Sequence, residues 1–323
     1  MYRVYLHLEN GVTPLTHKHT LGRINERLSH GAVTALLARF VSKKTPIIMG
    51  VLNLTPDSFS DGGEFLEIDA ALKQAARFVA EGVDIVDIGG ESTRPSTFRS
   101  GAPLDEEEEM RRVLPVIEAL AKRYPSLPLS IDTYKAATAT AALEQGAVMV
   151  NDVSAMRADV GMCEVVRAAD AFICLMHMPG LPTLIPPTPT YRNVSAEVSQ
   201  HLVERAQFAE KHGIASSRIC IDPGIGFGKS VQENLQLIKG LRSFTALPYP
   251  VLVGPSRKSF IGAVLGGLPA DKRLEGTLAA VTLCVAKNAA ILRVHDVGAA
   301  RRAALMAAAV RDAMLTTDTY SSD

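Results

Sequence analysis

The chain has 323 residues, a length close to that of one α/β barrel, and 47% of them are hydrophobic, enough for a large core. Its 34 basic and 34 acidic residues cancel, so no global field attracts nucleic acid or an anionic membrane, and neither is expected as a partner. The sequence shows no signal-peptide core at its beginning and no run of about 18 apolar residues. It therefore predicts a cytoplasmic protein.

The cysteines are dispersed through the chain, without a CxxC pair or a closely spaced histidine: Cys163, Cys174, Cys220 and Cys284. Metal sites and disulfide frameworks usually show regular, close cysteine spacings. We therefore predict that these cysteines are reduced packing residues.

From residue 46 onward, short apolar runs alternate with longer amphipathic stretches. Eight runs are predicted as strands: 46–52, 83–88, 128–131, 148–150, 171–176, 218–221, 251–253 and 290–294. Six stretches are predicted as helices: 68–81, 106–124, 135–145, 194–212, 231–241 and 273–287. Strands that are apolar on both faces and separated by helices indicate a parallel sheet covered by helices. The count of eight favours a (β/α)8 TIM barrel, with an open doubly wound sheet as the alternative.

The barrel pattern divides the chain into three parts. Residues 1–45 do not fit the repeat and are predicted to be an N-terminal extension that caps the bottom of the barrel. Residues 46–315 are predicted to form the barrel, and 316–323 a frayed C-terminal tail. The proline-rich segment 178–191 is predicted to be a long surface loop after the fifth strand, and loops of this kind are usually functional or mobile.

Polar residues lie at or shortly after the carboxyl end of seven of the eight predicted strands. Barrel enzymes carry their catalytic groups at the carboxyl ends of strands. A single Asp at such an end is often only a helix cap. However, burying many polar groups costs about 1–3 kcal/mol for each one left without a partner. Such a collection therefore predicts a site for a ligand that is rich in donors and acceptors.

Barrel closure brings the eighth strand beside the first, so we expect Asn53, Arg293 and His295 to converge. An arginine, a histidine and an amide suit an anion such as phosphate. The alternative is a structural Arg293 paired with Asp296 or Glu91.

A second subset contains carboxylates, an amide and one ammonium directed at a common centre: Asp87, Asp132, Asn151, Asp222 and Lys258. Carboxylates can accept hydrogen bonds from ring N–H and amino groups, which suits a planar nitrogen heterocycle. A divalent metal is the alternative, although a lysine within the set argues against it.

Three local patterns lead to further expectations. The alternating glycines of 222–229 lack the spacing of a dinucleotide fingerprint and are expected to let a loop pass close to a flat ligand. Ser259 is predicted at the start of a helix, either as a seat for a carboxylate or as a plain cap. The acidic run 105–109 is predicted to be a solvated helix start.

Four segments resemble the signature motifs of the dihydropteroate synthases: 49–63 (MGVLNLTPDSFSDGG), 87–95 (DIGGESTRP), 222–229 (DPGIGFGK) and 256–259 (SRKS). The resemblance extends from about residue 46 to about residue 300. The segment 176–182 leads into more prolines than is usual in the family, and 1–45 is also less typical.

The resemblance implies condensation of 6-hydroxymethyl-7,8-dihydropterin pyrophosphate with p-aminobenzoate in folate biosynthesis, with Mg²⁺, in a homodimer that sulfonamides inhibit. The implied catalytic residues are Asp132, Asp222, Lys258, Arg293 and His295. The implied pterin residues are Asp87, Asp132, Asn151, Met176, Asp222 and Lys258. The pyrophosphate would meet Asn53, Thr93, Arg293 and His295, with Asn53 also holding the metal. The p-aminobenzoate would meet Phe59, Thr93, Arg94, Pro95, Phe227 and Ser259.

The implied mechanism is dissociative and SN1-like: pyrophosphate leaves ahead of the amine's attack, so charge stabilisation and exclusion of water matter most. Two alternatives share the barrel. A methyltetrahydrofolate:corrinoid methyltransferase would need no anion site, so Arg293, His295 and the SRKS segment count against it. A binding module without activity would have lost site residues, and none is missing.

Overall fold

The computed structural model describes residues 36, 45–54, 64–91, 103–182 and 191–313. Within 64–91, side chains are described from residue 68 onward. The strands are β1 Ile47–Asn53, β2 Ile85–Gly89, β3 Leu129–Asp132, β4 Met149–Asp152, β5 Phe172–Met176, β6 Ile219–Asp222, β7 Leu252–Val253 and β8 Ile291–Val294. The helices are α1 Glu64–Ala80, α2 Glu106–Arg123, α3 Ala136–Glu144, α4 Met162–Ala168, α5 Val194–Lys211, α6 Val231–Lys239, α7 Leu241–Thr245, α8 Ser259–Val264, α9 Leu274–Ala286 and α10 Val297–Asp312.

All eight strands are parallel and form one sheet in the order β6-β5-β4-β3-β2-β1-β8-β7. Met49 of β1 lies opposite Ile85 of β2 on one side and Arg293 of β8 on the other. A bridge between Ile221 and Val251 joins the two outer strands and closes the ring. The (β/α)8 barrel prediction is therefore confirmed, and the open-sheet alternative is wrong.

The strands are buried on both faces because side chains fill the barrel on one side and helices cover the other. One close approach needs a glycine. A Cβ on Gly50 would lie 3.0 Å from Phe78 of α1 and 3.1 Å from Val297 of α10. The bare backbone of β1 lets both helices pack closely on the strand.

Local signals set several helix ends. The side chain of Asp105 accepts from the backbone N–H of Glu107 at the start of α2. Ser230 and Glu233 form a reciprocal capping box at the start of α6. The predicted helix 231–241 is divided at Gly240 into α6 and α7. The short α4 was not predicted, because its seven residues are too few to show a helical period.

Several predictions fall outside the described residues. Of 1–44 only Leu36 is described, and it is buried in the main core. The tail 316–323 and positions 183–190 of the proline-rich loop also lie outside. Within the described part, all four cysteines are buried and free of disulfides, as predicted. No described helix has the length and hydropathy that a membrane crossing requires.

Candidate active site

The predicted polar residues meet at the carboxyl ends of the strands. Asp132 and Asp222 are the last residues of β3 and β6, while Asp87, Asn151 and Arg293 lie within β2, β4 and β8. A pocket opens at this end of the barrel and is lined by Asp132, Asn151, Val153, Met176, Asp222, Ile225, Phe227, Gly254, Lys258 and Arg293. The second predicted subset thus lies around one pocket, with Asp87 directly behind it.

Arg293 bridges two carboxylates beneath the pocket. Its Nε donates to Asp87 Oδ2 and its Nη2 to Asp132 Oδ2, each at 2.6 Å. Asn151 Nδ2 also donates to Asp87 Oδ2, at 3.0 Å. The alternative pairing of Arg293 with Asp296 or Glu91 is therefore wrong.

The second oxygen of each carboxylate is the atom that a ligand can contact. Asp87 Oδ1 and Asp132 Oδ1 are buried and have no hydrogen-bond partner among the described residues. Burial raises the pKa of Asp132 to about 7, although Arg293 acts in the opposite direction. Burial opposes the charge of Arg293, but Asp87 and Asp132 raise the pKa of its guanidinium above the usual value. These acceptor atoms suit the N–H groups of a ligand.

Asp222 and Lys258 form the opposite part of the pocket. Asp222 Oδ1 accepts from the backbone N–H of Gly224 at 2.7 Å. Burial raises the pKa of Asp222 to about 6, against the effects of that hydrogen bond and of Lys258. The ammonium of Lys258 lies 4.1 Å from the centre of the Phe227 ring. A Cβ on Gly226 would come within 2.8 Å of the Lys258 side chain, so the glycine lets this lysine lie over the loop.

A small apolar cluster, separate from the main core, adjoins the pocket: Tyr134, Val153, Met176, Met178 and Phe227. Val153, Met176 and Phe227 line the pocket itself. Apolar and aromatic side chains on one side and polar acceptors on the other are typical of a site for a small planar molecule. Met176 and Phe227, both predicted as site residues, line this pocket, and their ligand contacts stay predictions.

Lys229 was predicted only as part of a motif, and the structure gives it a specific place. Its Nζ donates to the backbone oxygens of His177, Gly224 and Phe227, at 3.3, 2.9 and 3.1 Å. Burial lowers the pKa of Lys229 to about 7, while Asp222 raises it. Lys229 therefore ties the loop after β6 to the loop after β5. The lysine that ends the glycine-rich run was the available sequence signal.

The candidate anion residues lie at the ends of β1 and β8. Asn53 is the last residue of β1 and is half-buried. His295 follows β8, and its Nδ1 lies 3.0 Å from the hydroxyl of Ser256. Burial, followed by Arg293, lowers the pKa of His295 to about 3, so its ring is neutral near pH 7. Asp296 forms an ion pair with Arg257 at 2.6 Å.

A buried charge network lies beside the pocket, and the sequence pattern did not indicate it. Lys135 Nζ binds Glu91 at 2.7 Å and Glu109 at 2.9 Å, with every side chain less than 10% exposed. Burial raises the pKa of Glu109, against the effect of Lys135. The prediction that 105–109 is a solvated helix start is therefore wrong at Glu109, which is buried. Its partner Lys135 lies 26 residues away in the sequence, so no local pattern indicates the contact.

The strand-end residues do not all serve the pocket. Asp152 accepts from the backbone N–H groups of Ser154 and Met156, each at 2.7 Å, and so shapes the turn after β4. Ser259 is exposed and is the first residue of α8, whose cap position is Lys258, so the plain-cap alternative for Ser259 is wrong. The other predicted p-aminobenzoate residues lie outside the described residues: Phe59, Thr93, Arg94 and Pro95.

Comparison with known proteins shows the family to which the chain belongs. The sequence profile of the family described as "Pterin binding enzyme" matches residues 49–295. A dihydropteroate synthase of Clostridium beijerinckii is 42% identical over 260 residues, which cover 80% of this chain and 92% of the relative.

Two solved structures are similar in fold and sequence. The dihydropteroate synthase of Xanthomonas albilineans with 4-aminobenzoic acid has a TM-score of 0.78 and 44% identity, covering 84% of this chain and 95% of that one. The same organism's enzyme in complex with 7,8-dihydropteroate has a TM-score of 0.75 and 42% identity, covering 84% and 96%.

Proposed function

The chain belongs to the family of pterin-binding enzymes, and we propose that its strand-end pocket holds the pterin of a dihydropteroate synthase reaction. The activity is that of a transferase in folate biosynthesis, which joins 6-hydroxymethyl-7,8-dihydropterin pyrophosphate to p-aminobenzoate and releases pyrophosphate. The observation that carries the assignment of the site is the pair of buried carboxylates held by Arg293, each with one oxygen left for a ligand.

Pterin binding uses the acceptors of the pocket. A pterin offers ring N–H and amino donors along one edge and acceptors at other positions. Buried carboxylates can accept hydrogen bonds from the pterin donors, while an amide and an ammonium can donate to the pterin acceptors. The residues proposed for this role are Asp87, Asp132, Asn151, Met176, Asp222 and Lys258. Leaving a buried oxygen without a partner costs about 1–3 kcal/mol, and ligand binding would relieve that cost.

Departure of the leaving group is assigned to Asn53, Arg293 and His295, together with Thr93. In a dissociative reaction, negative charge grows on the pyrophosphate while positive charge grows on the pterin methylene. Cationic and N–H donor groups stabilise the negative charge on the pyrophosphate. The carboxylates of Asp132 and Asp222 stabilise the positive charge on the pterin methylene. Arg293 contacts Asp132 and lines the pocket, which supports its assignment to this step.

Mg²⁺ fits this site only with help from the substrate. No described group of three or more His, Cys, Asp or Glu side chains has the spacing of a metal site. Mg²⁺ commonly binds through one or two protein oxygens, substrate phosphates and water. Asn53 would supply the protein oxygen. When bound, the ion would neutralise charge on the leaving pyrophosphate.

The amine acceptor is proposed to enter beside the pterin. Phe227 lines the pocket from the loop after β6, and the exposed Ser259 follows the pocket residue Lys258 at the start of α8. The remaining proposed contacts are Phe59, Thr93, Arg94 and Pro95. Attack by the aniline nitrogen needs orientation and exclusion of water more than a protein nucleophile. Sulfonamides, which have the shape of p-aminobenzoate, are expected to occupy the same place.

We also propose a homodimer built on α9 and α10. The alanines of α10 at 300, 304, 307 and 308 are buried in the core. The larger apolar residues of these helices face outward: Leu283 is 52% exposed, Met306 65% and Val310 65%. A dissociation constant that rises strongly in Met306→Glu, measured by sedimentation, supports the dimer, and a monomeric wild-type protein contradicts it. The free, buried cysteines fit a reducing, cytoplasmic location.

The decisive experiment measures pyrophosphate release from 6-hydroxymethyl-7,8-dihydropterin pyrophosphate, with and without p-aminobenzoate. Formation of dihydropteroate in step with pyrophosphate supports the proposal. Release of pyrophosphate without any dihydropteroate in the presence of p-aminobenzoate refutes it. Asp222→Asn is the matched variant for the site, since it preserves shape but removes the buried charge.

A further inference from the structure

Ser256 and His295 connect the loops that follow β7 and β8. These strands pair in parallel, with Leu252 opposite Ile291, so their carboxyl ends carry the two loops side by side. The hydroxyl oxygen of Ser256 lies 3.2 Å from the backbone nitrogen of His295 and 3.0 Å from its Nδ1. Ser256 is buried, with 4% of its surface exposed.

The two contacts together decide the direction of the second hydrogen bond. The backbone N–H of His295 can only donate, so the Ser256 oxygen accepts from it. The buried hydroxyl keeps its own proton and a second lone pair, and among the described residues His295 Nδ1 is the acceptor within reach of that proton. The hydroxyl therefore donates to Nδ1, because a buried O–H without an acceptor is costly. The ring proton is then on Nε2.

A second pair of residues braces the same junction. Arg257 Nη2 and Nε donate to Asp296 Oδ1 and Oδ2 at 2.6 and 3.0 Å. Arg257 also donates its backbone N–H to Thr277 and accepts from Arg273 through its backbone oxygen. Consecutive residues of one loop thus bind consecutive residues of the other, which fixes the distance between Ser256 and His295.

The ring is neutral at working pH, since burial and the nearby positive charges of Arg293, Arg257 and Lys258 lower the pKa of His295, while Asp296 raises it. In a neutral imidazole, the tautomer decides whether Nε2 offers a proton or a lone pair. A proton attracts an anion, whereas a lone pair repels it. The hydroxyl of Ser256 therefore determines what this histidine can do.

We propose that Ser256 is a positioning residue: it holds His295 in the Nε2–H tautomer, so that the neutral ring donates a hydrogen bond to the pyrophosphate leaving group. The identity of the anion rests on the proposed function. The tautomer itself rests only on the contacts of Ser256, so the two statements can be tested separately.

The test uses the full-length protein labelled with ¹⁵N-histidine. Two-bond ¹H–¹⁵N spectra near neutral pH report the tautomer of each ring, and His295→Gln identifies the signals of His295. We expect Nε2–H in the wild type, a mixture of tautomers in Ser256→Ala, and Nε2–H again in Ser256→Thr, which keeps the hydroxyl. Ser130→Ala is the control, since Ser130 is also buried but its hydroxyl has no partner among the described residues.

Binding provides the second readout. Calorimetry with Mg²⁺ and inorganic pyrophosphate should show roughly tenfold weaker binding in Ser256→Ala, the scale of a lost hydrogen bond to a charged group. Ser256→Thr and Ser130→Ala should bind as the wild type does. An Nδ1–H ring in the wild type, or an unchanged tautomer in Ser256→Ala, overturns the proposal. An Nε2–H ring in a wild-type protein that makes no dihydropteroate overturns the proposed function and leaves the role of Ser256 in setting the tautomer intact.

Discussion

Replacement of Arg293 by methionine tests the charge arrangement on which the site depends. The change keeps an unbranched side chain but removes the guanidinium that binds Asp87 and Asp132. These carboxylates are 0% and 4% exposed, so water cannot replace the lost donors. Breaking a buried ion pair by removing one partner typically costs about 3–5 kcal/mol. We expect a loss of stability of that order above neutral pH.

The loss should depend on pH with a definite sign. Burial raises the native pKa of Asp132 to about 7, well above its unfolded value near 4, so native stability falls as pH rises between these values. Arg293 opposes that rise. Without it the pKa of Asp132 increases further, and the destabilisation grows as pH rises above about 7. Each added pKa unit contributes about 1.4 kcal/mol, so the loss near pH 8.5 should exceed that near pH 6 by about 1–2 kcal/mol.

Urea unfolding followed by circular dichroism measures both quantities, and the sequence contains no tryptophan for fluorescence. Arg257→Met is the matched control, because it breaks the more exposed ion pair with Asp296. In this pair the side chain of Arg257 is 39% exposed and that of Asp296 is 23% exposed. Such a pair contributes about 0–1 kcal/mol. A loss of less than about 1 kcal/mol in Arg293→Met near pH 8.5 would refute the reasoning. A loss near pH 6 as large as the loss near pH 8.5 would refute it as well.

Three further predictions concern the pocket and its loops. In Gly224→Ala, at φ 69°, the new Cβ would meet the carbonyl oxygen of His177, so we expect a loss of about 2–3 kcal/mol in thermal unfolding. Gly266→Ala, at φ 77° with nothing within 4 Å, should lose only about 1 kcal/mol, and equal losses would contradict the steric cause. Burial raises the pKa of Asp222 to about 6, so the affinity for pterin, measured by calorimetry, should rise with pH as this carboxyl ionises. Asp222→Asn should remove this rise in affinity. An identical pH profile in the variant would exclude a role for the charge. A sulfonamide should raise the apparent KM for p-aminobenzoate without changing kcat, and a fall in kcat alone would show that it binds elsewhere.

The barrel could be predicted from the sequence because its signals are local. Each strand is a short apolar run, and each long helix has an apolar face that recurs along a few turns. The polar residues at the strand ends stand out in the same way, since Asp132 and Asp222 directly end buried runs. The pocket residues were therefore identified one strand at a time, and barrel geometry then predicted that they would meet.

The partners of those residues were decided by tertiary structure. Arg293 is 206 positions from Asp87 and 161 from Asp132, and sequence reasoning offered two other carboxylates instead. Glu109 looks like part of a solvated acidic run, yet the barrel brings Lys135 to it. Apolar periodicity is a property of neighbouring residues, so the chain reveals its own elements. A choice among several carboxylates for one guanidinium depends on distances of a few ångströms, which only the packed barrel determines.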